Sequence, residues 1–159
     1  MAHPSGILEW DLPELAAAMR LQEADAMLYF TDGRRVLFML ERRLAYEVLD
    51  GTLAPSEGAG WDVRDSTGLK WEVRSISRGG IYFCPSYMVG SGRCFNELGF
   101  LSKLDEIEGY VVSDTESFPS IPFWIIPGDL VRSWWAGGRL GTTTKISRAN
   151  ALKLVNAMP

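Results

Sequence analysis

The chain predicts a mixed α/β fold, a β-sheet flanked by helices, and three observations carry that expectation. Residues 60–75 alternate between apolar and charged side chains on two arms about a turn, the pattern of a β-hairpin. Residues 110–113 and 122–126 are short apolar runs rich in β-branched and aromatic side chains, as buried strands are. Helical periodicity precedes the hairpin, separates it from the first of these runs and follows the second. With 159 residues and 47% hydrophobic content, one domain with a substantial core is expected. It divides into an N-terminal helical segment (1–32), a central core (33–126) and a C-terminal helical segment (127–159).

Asp11 is a capping residue and Pro13 suits a first helical turn, so a helix starts there. Leu15, Met19, Ala26 and Leu28 continue it loosely toward Tyr29, and Thr31-Asp32-Gly33 breaks and recaps the chain. A second helix is predicted over 34–50, stopped by Gly51, with the stripe Leu37, Leu40, Leu44, Ala45 and Val48. Glu41 falls inside that stripe, and a carboxylate on a buried face needs a partner, whether a nearby arginine or a functional site. Residues 52–59, with Pro55, Ser56 and Gly58, read as a loop into the hairpin. Beyond the hairpin, Arg78-Gly79-Gly80 turns into a third strand at 81–84, ended by Pro85, and 88–93 is a glycine-rich loop. Asn96 caps a helix carrying Leu98, Leu101, Leu104 and Ile107, which ends at Gly109. After the two apolar strands, Asp129 opens a helix through Trp134-Trp135, where one of the pair must face outward, toward a subunit or DNA interface. Gly137-Gly138 stops it, and Ser147 caps a last helix over 148–156. A three-stranded meander followed by a helix and further strands gives a mixed sheet.

Within the hairpin, Trp61, Val63, Trp71 and Val73 share one parity, and Asp62, Arg64, Lys70, Glu72 and Arg74 share the other. Asp65-Ser66-Thr67-Gly68 is turn chemistry. Pairing Asp65 with Leu69 sets Val63 opposite Trp71, Trp61 opposite Val73, and Asp62 opposite Glu72. Carboxylates about 5 Å apart at Cβ repel unless positive charge lies between them. Either Arg64, Lys70 and Arg74 neutralise a solvated face, or a divalent metal sits between the two acids.

The net charge of −4 is unevenly spread, with −5 on residues 1–60 and +1 on the remainder. A protein-wide basic footprint for nucleic acid is therefore absent, and only local basic patches remain. No run of apolar residues is long enough to span a bilayer, so no membrane partner is expected. The first residues lack the basic region and apolar stretch of a signal peptide, and Cys84 and Cys94 lack metal-type spacing, which together suggest a cytoplasmic protein. His3, in the terminal tail, is the only histidine, which excludes histidine-dependent triads, HNH nucleases and most zinc sites. No Gly-x-x-x-x-Gly-Lys-Ser/Thr loop exists to drive an ATPase.

Gly60-Trp61-Asp62, nine residues, then Glu72-Val73-Arg74-Ser75 resembles the PD-(D/E)XK nuclease superfamily, which includes many type II restriction endonucleases. The resemblance covers residues 33–126 and implies a restriction-endonuclease-like mixed β-sheet flanked by helices. It also implies a Mg²⁺-dependent DNA endonuclease using one or two ions, with Mn²⁺ as a substitute. In that reading Asp62 and Glu72 are metal ligands and Glu41 is the upstream glutamate that binds metal directly or through water. Arg74 stands where the family usually has lysine; a guanidinium stabilises charge but does not act as a base. Arg78, Arg93, Lys145 and Arg148 are the candidate phosphate contacts to double-stranded DNA. A single site per chain implies a homodimer for cutting both strands. The alternative is a relative that keeps the fold and binds nucleic acid, or serves in assembly, without the chemistry. Gly80-Ile81-Tyr82 followed by Tyr87-Met88-Val89-Gly90 is superficially similar to the GIY-YIG nucleases, but the gap is too short for that family's strands.

Overall fold

The computed structural model describes residues 5–158 apart from 20, 32 and 57, and of 33–35 and 38 it describes the backbone alone. His3 and the predicted recapping residue Asp32 lie outside the described residues. Eight strands are described: β1 (Ser5–Glu9), β2 (Thr52–Leu53), β3 (Val63–Arg64), β4 (Lys70–Ile76), β5 (Ile81–Tyr82), β6 (Gly109–Asp114), β7 (Ser120–Pro127) and β8 (Lys145–Ile146). Six form a mixed sheet in the order β1-β7-β6-β4-β3-β2, and β5 pairs with β8 apart from it. The helices are α1 (Leu12–Met19), α2 (Glu23–Phe30), α3 (Gly33–Arg43), α4 (Glu97–Glu106), α5 (Gly128–Ala136) and α6 (Arg148–Asn156). The fold is therefore mixed α/β, with helices flanking a mixed sheet.

Both faces of the sheet are covered. On one, Val63, Trp71, Val73, Val111 and Ile121 pack with Phe30, Val36, Leu40 and Leu44. On the other, Ile76, Tyr110, Val112 and Ile126 pack with Phe100, Leu104, Val131, Trp134 and Leu154. Strand β6 is buried at every position, which is why Tyr110, Val111 and Val112 are apolar in succession rather than alternating with polar residues. Its pairing with β4 is parallel, and a parallel pair needs a long crossover. Helix α4 lies in that crossover and so comes to rest over the face from which Glu72 and Arg74 project.

Three caps form as the sequence predicts. Asp11 Oδ1 accepts from the Glu14 N–H (2.8 Å), Asn96 Oδ1 from Gly99 (2.7 Å), and Ser147 Oγ from Asn150 (3.3 Å). The hairpin register holds from the turn as far as Val63, and the predicted Asp62–Glu72 and Trp61–Val73 pairs are not part of the ladder: Val63 faces Trp71, Arg64 faces Lys70, and the Asp65 N–H donates to Leu69 O at 2.9 Å.

Other expectations are corrected. The predicted meander loses its third strand, because β5 leaves the sheet after the Ser77–Gly80 turn and pairs with β8. Gly80 (φ +99°) makes this possible: a Cβ there would lie 2.0 Å from Ile146 O, so only glycine admits the approach. The edge of β3 is taken instead by β2, inside the segment read as a loop. Trp61 leaves the face shared by Val63, Trp71 and Val73, because the ladder ends at Val63, and it packs on the opposite layer. The first predicted helix divides into α1 and α2, and β1 was not foreseen. The second passes from α3 into a wider π turn over Leu44–Val48 before Asp50 (φ 46°) ends it. On α4 the buried stripe is Phe100, Lys103 and Leu104, followed by Ile107 just past its end, and Leu98 is exposed. Trp135 is half-buried, its Nε1 donating to Glu97 Oε1 (2.7 Å) and its ring against Phe95 and Phe100, so it packs within the chain.

Candidate active site

Strand β3 begins one residue after the acid that matters. The Asp62 N–H still donates to Trp71 O (3.0 Å), but its side chain turns back, and Oδ2 accepts from the Val73 N–H at 2.7 Å. A carboxylate thus takes the place of the next ladder carbonyl and is fixed beside β4. Glu72 projects from β4 on the α4 side and is buried. Its Oε1 accepts from Arg74 Nη2 (2.6 Å), and Lys103 Nζ of α4 lies 2.6 Å from Oε2. The latter contact is an ion pair rather than an aligned hydrogen bond, since Oε2 has no partner of good angle. Lys103 also donates to Gly60 O. Arg74 Nη1 donates to Val73 O (3.0 Å) and stands 3.9 Å from Asp62 Oδ2, and its guanidinium lies 5.3 Å from the Tyr82 ring.

Glu41, Asp62, Glu72, Arg74 and Lys103 all line one cleft of about 850 Å³, together with Arg42 and Glu106. Burial first, and then the Asp62 charge, push the Glu41 carboxyl up from 4.5 to about 7, against Arg42 and Arg74. The Asp62 carboxyl is raised by burial and then by Glu72, against the Val73 N–H and the two cations. Burial opposes the Arg74 charge, but Glu72 and Asp62 outweigh it and hold the guanidinium above its usual range. Two carboxyls that are both costly to ionise mark a site with too much negative charge for its burial.

Among the described residues no group of three His, Cys, Asp or Glu side chains is placed to hold a metal by itself. Glu72 is committed to Arg74 and Lys103. Mg²⁺, however, keeps most of its waters and takes one or two carboxylates plus substrate phosphate. Glu41 and Asp62 are the remaining hard oxygen donors at the centre of this lining, each pushed toward the neutral form.

The four candidate phosphate contacts lie outside the lining of this cleft. Arg78 is exposed, 3.5 Å from Glu116 Oε2. Arg93 donates to Ser86 O and Val89 O. Lys145 is exposed on β8, and Arg148 makes a two-pronged pair with Asp114. Sequence reasoning missed Lys103. Its signal was the one that singled out Glu41: a charged residue on the apolar stripe of its helix, between Phe100, Leu104 and Ile107.

No family model, curated protein or solved structure matches the chain. No helix among the described residues is long and apolar enough to cross a membrane.

Proposed function

We propose that the chain is a metal-dependent endonuclease of restriction-endonuclease-like architecture that hydrolyses DNA phosphodiester bonds. The observation that carries this reading is the convergence of Glu41, Asp62, Glu72, Arg74 and Lys103 on one cleft, with the Lys103 ammonium of α4 beside Glu72 while Arg74 holds the signature's lysine position. When bound by Glu41 and Asp62, Mg²⁺ would polarise a phosphate oxygen and acidify a water. Glu41, pushed up to about 7 by burial and the Asp62 charge, would be drawn into its ionised form by a bound cation. Arg74 and Lys103 place positive charge where a phosphorane would develop negative charge, and Glu72 holds both in position. Each chain carries one such site, so cutting both strands requires two copies.

A second reading, a nucleic-acid-binding relative without the chemistry, is favoured by one observation: the cations occupy both Glu72 oxygens, leaving no third carboxylate for a metal. Calorimetric and thermal-shift titration with Mn²⁺ or Mg²⁺ separates the two. The endonuclease reading expects the ion to stabilise the wild type, not Asp62→Ala, and plasmid nicking to require it. Nicking that survives Asp62→Ala would overturn that assignment.

A further inference from the structure

The cleft presents an aromatic side chain that the phosphodiester chemistry does not use. Two aromatic residues line it among those described, Trp61 and Tyr87. Trp61 is packed on the core, with the Arg64 guanidinium 4.9 Å above its ring. Tyr87 is 64% exposed, a large unpaired aromatic surface at the mouth of a charged site.

Its backbone is held firmly. The Met88 N–H donates to Pro85 O (2.9 Å), and Val89 to Ser86 O (3.1 Å). Arg93 Nη1 clamps the same turn through Ser86 O (2.9 Å) and Val89 O (3.1 Å), and Met88 is buried beneath it. The Tyr87 hydroxyl rests against α4 at Gly99, where a Cβ would come within 3.2 Å of it. Lys103 lies four residues further along that helix, about 6 Å along its axis. The Tyr87 hydroxyl and the Glu72–Lys103 pair thus meet the same helix about one turn apart.

Charge limits what can bind there. The described lining contains four carboxylates (Glu41, Asp62, Glu72, Glu106) against three cations (Arg42, Arg74, Lys103). Without a bound ion this lining offers no surplus positive charge, so attraction to phosphate alone contributes little to holding a strand. Stacking on an aromatic ring contributes roughly 1–3 kcal/mol per base without any such surplus, but it needs a base with a free face.

We propose that Tyr87 is a stacking platform for an unpaired nucleobase adjacent to the phosphate at the Glu72–Lys103 pair, so that the strand entering the cleft is single-stranded. This rests on the nuclease reading and names its substrate class. Arg93, expected to contact phosphate, instead positions the platform.

The test is fluorescence anisotropy with a labelled single strand of about ten nucleotides, its duplex, and an abasic version, in Ca²⁺ so that hydrolysis is held back. The wild type should bind the single strand more tightly than the duplex. Tyr87→Ala should weaken that binding about tenfold, the equivalent of one stacked base at 1.4 kcal/mol, while Tyr87→Phe retains it. The abasic strand should bind the wild type as weakly as the intact strand binds Tyr87→Ala. Equal or tighter duplex binding, or unchanged binding by Tyr87→Ala, overturns the proposal. Cleavage of the same single strand in Mg²⁺, run alongside, keeps the two readings apart. Cleavage with no effect of Tyr87→Ala on binding removes the platform and leaves the nuclease. Neither binding nor cleavage by the wild type removes both.

Discussion

Two buried carboxylates, Asp114 at the end of β6 and Glu72 on the neighbouring β4, are both paired with cations, yet they do opposite things. Asp114 is fully satisfied: Arg148 grips both oxygens (2.5 and 2.7 Å), and the Glu116 N–H and Ser117 Oγ complete the set. The group ties the first turn of α6 to the sheet, and none of its members lines the cleft. Glu72 has two cations as well, but Asp62 and Glu41 crowd the same space and are pushed toward protonation. One cluster is closed and balanced; the other holds more acid than its burial favours. A balanced buried pair stabilises position, whereas surplus charge facing a cleft is stored capacity for a cation or a proton.

Neutralising each acid tests this contrast most sharply. In plasmid nicking, Glu72→Gln should lower the rate at least about 100-fold, since the positions of both cations depend on it. Residual activity near wild type would break the catalytic side of the comparison. Asp114→Asn should leave nicking intact but cost about 3 kcal/mol in urea denaturation, because Arg148 loses a buried counter-charge. Glu72→Gln should cost less stability than that, because Asp62 remains 3.9 Å from Arg74 as a partner. The reverse order of stabilities would mean that Glu72, not Asp114, is the structural acid.

A smaller effect follows from Glu41. Its folded pKa lies above the unfolded value, so the folded state binds more protons between pH 4.5 and about 7, and stability falls as pH rises through that window. Glu41→Gln, which cannot ionise, should match the wild type near pH 4 and exceed it at pH 8 by roughly 1–2 kcal/mol, reduced from the full shift by partial exposure. A difference independent of pH would contradict the burial of that charge. Smallest of all, Arg78→Ala should leave the melting temperature unchanged, because the exposed guanidinium makes only a long contact with Glu116.

Local patterns in the sequence carried the hairpin, its register, three helix caps and the buried strand β6, because each is decided by residues near one another in the chain. Glu41, Asp62, Glu72 and Arg74 could likewise be picked out as odd charges on ordered faces, and the structure brings them to one cleft. Lys103 escaped notice because a lysine on a helix is counted as solvated until something shows which side is covered. That side is decided by the parallel pairing of β4 with β6, which carries α4 across the sheet. The departure of β5, the turn of Trp61 to the other layer and the presentation of Tyr87 are of the same kind. Sequence alone determined which residues alternate, cap and turn; tertiary structure alone decided which charges meet, since contacts distant in sequence follow from strand order and crossover rather than from local periodicity.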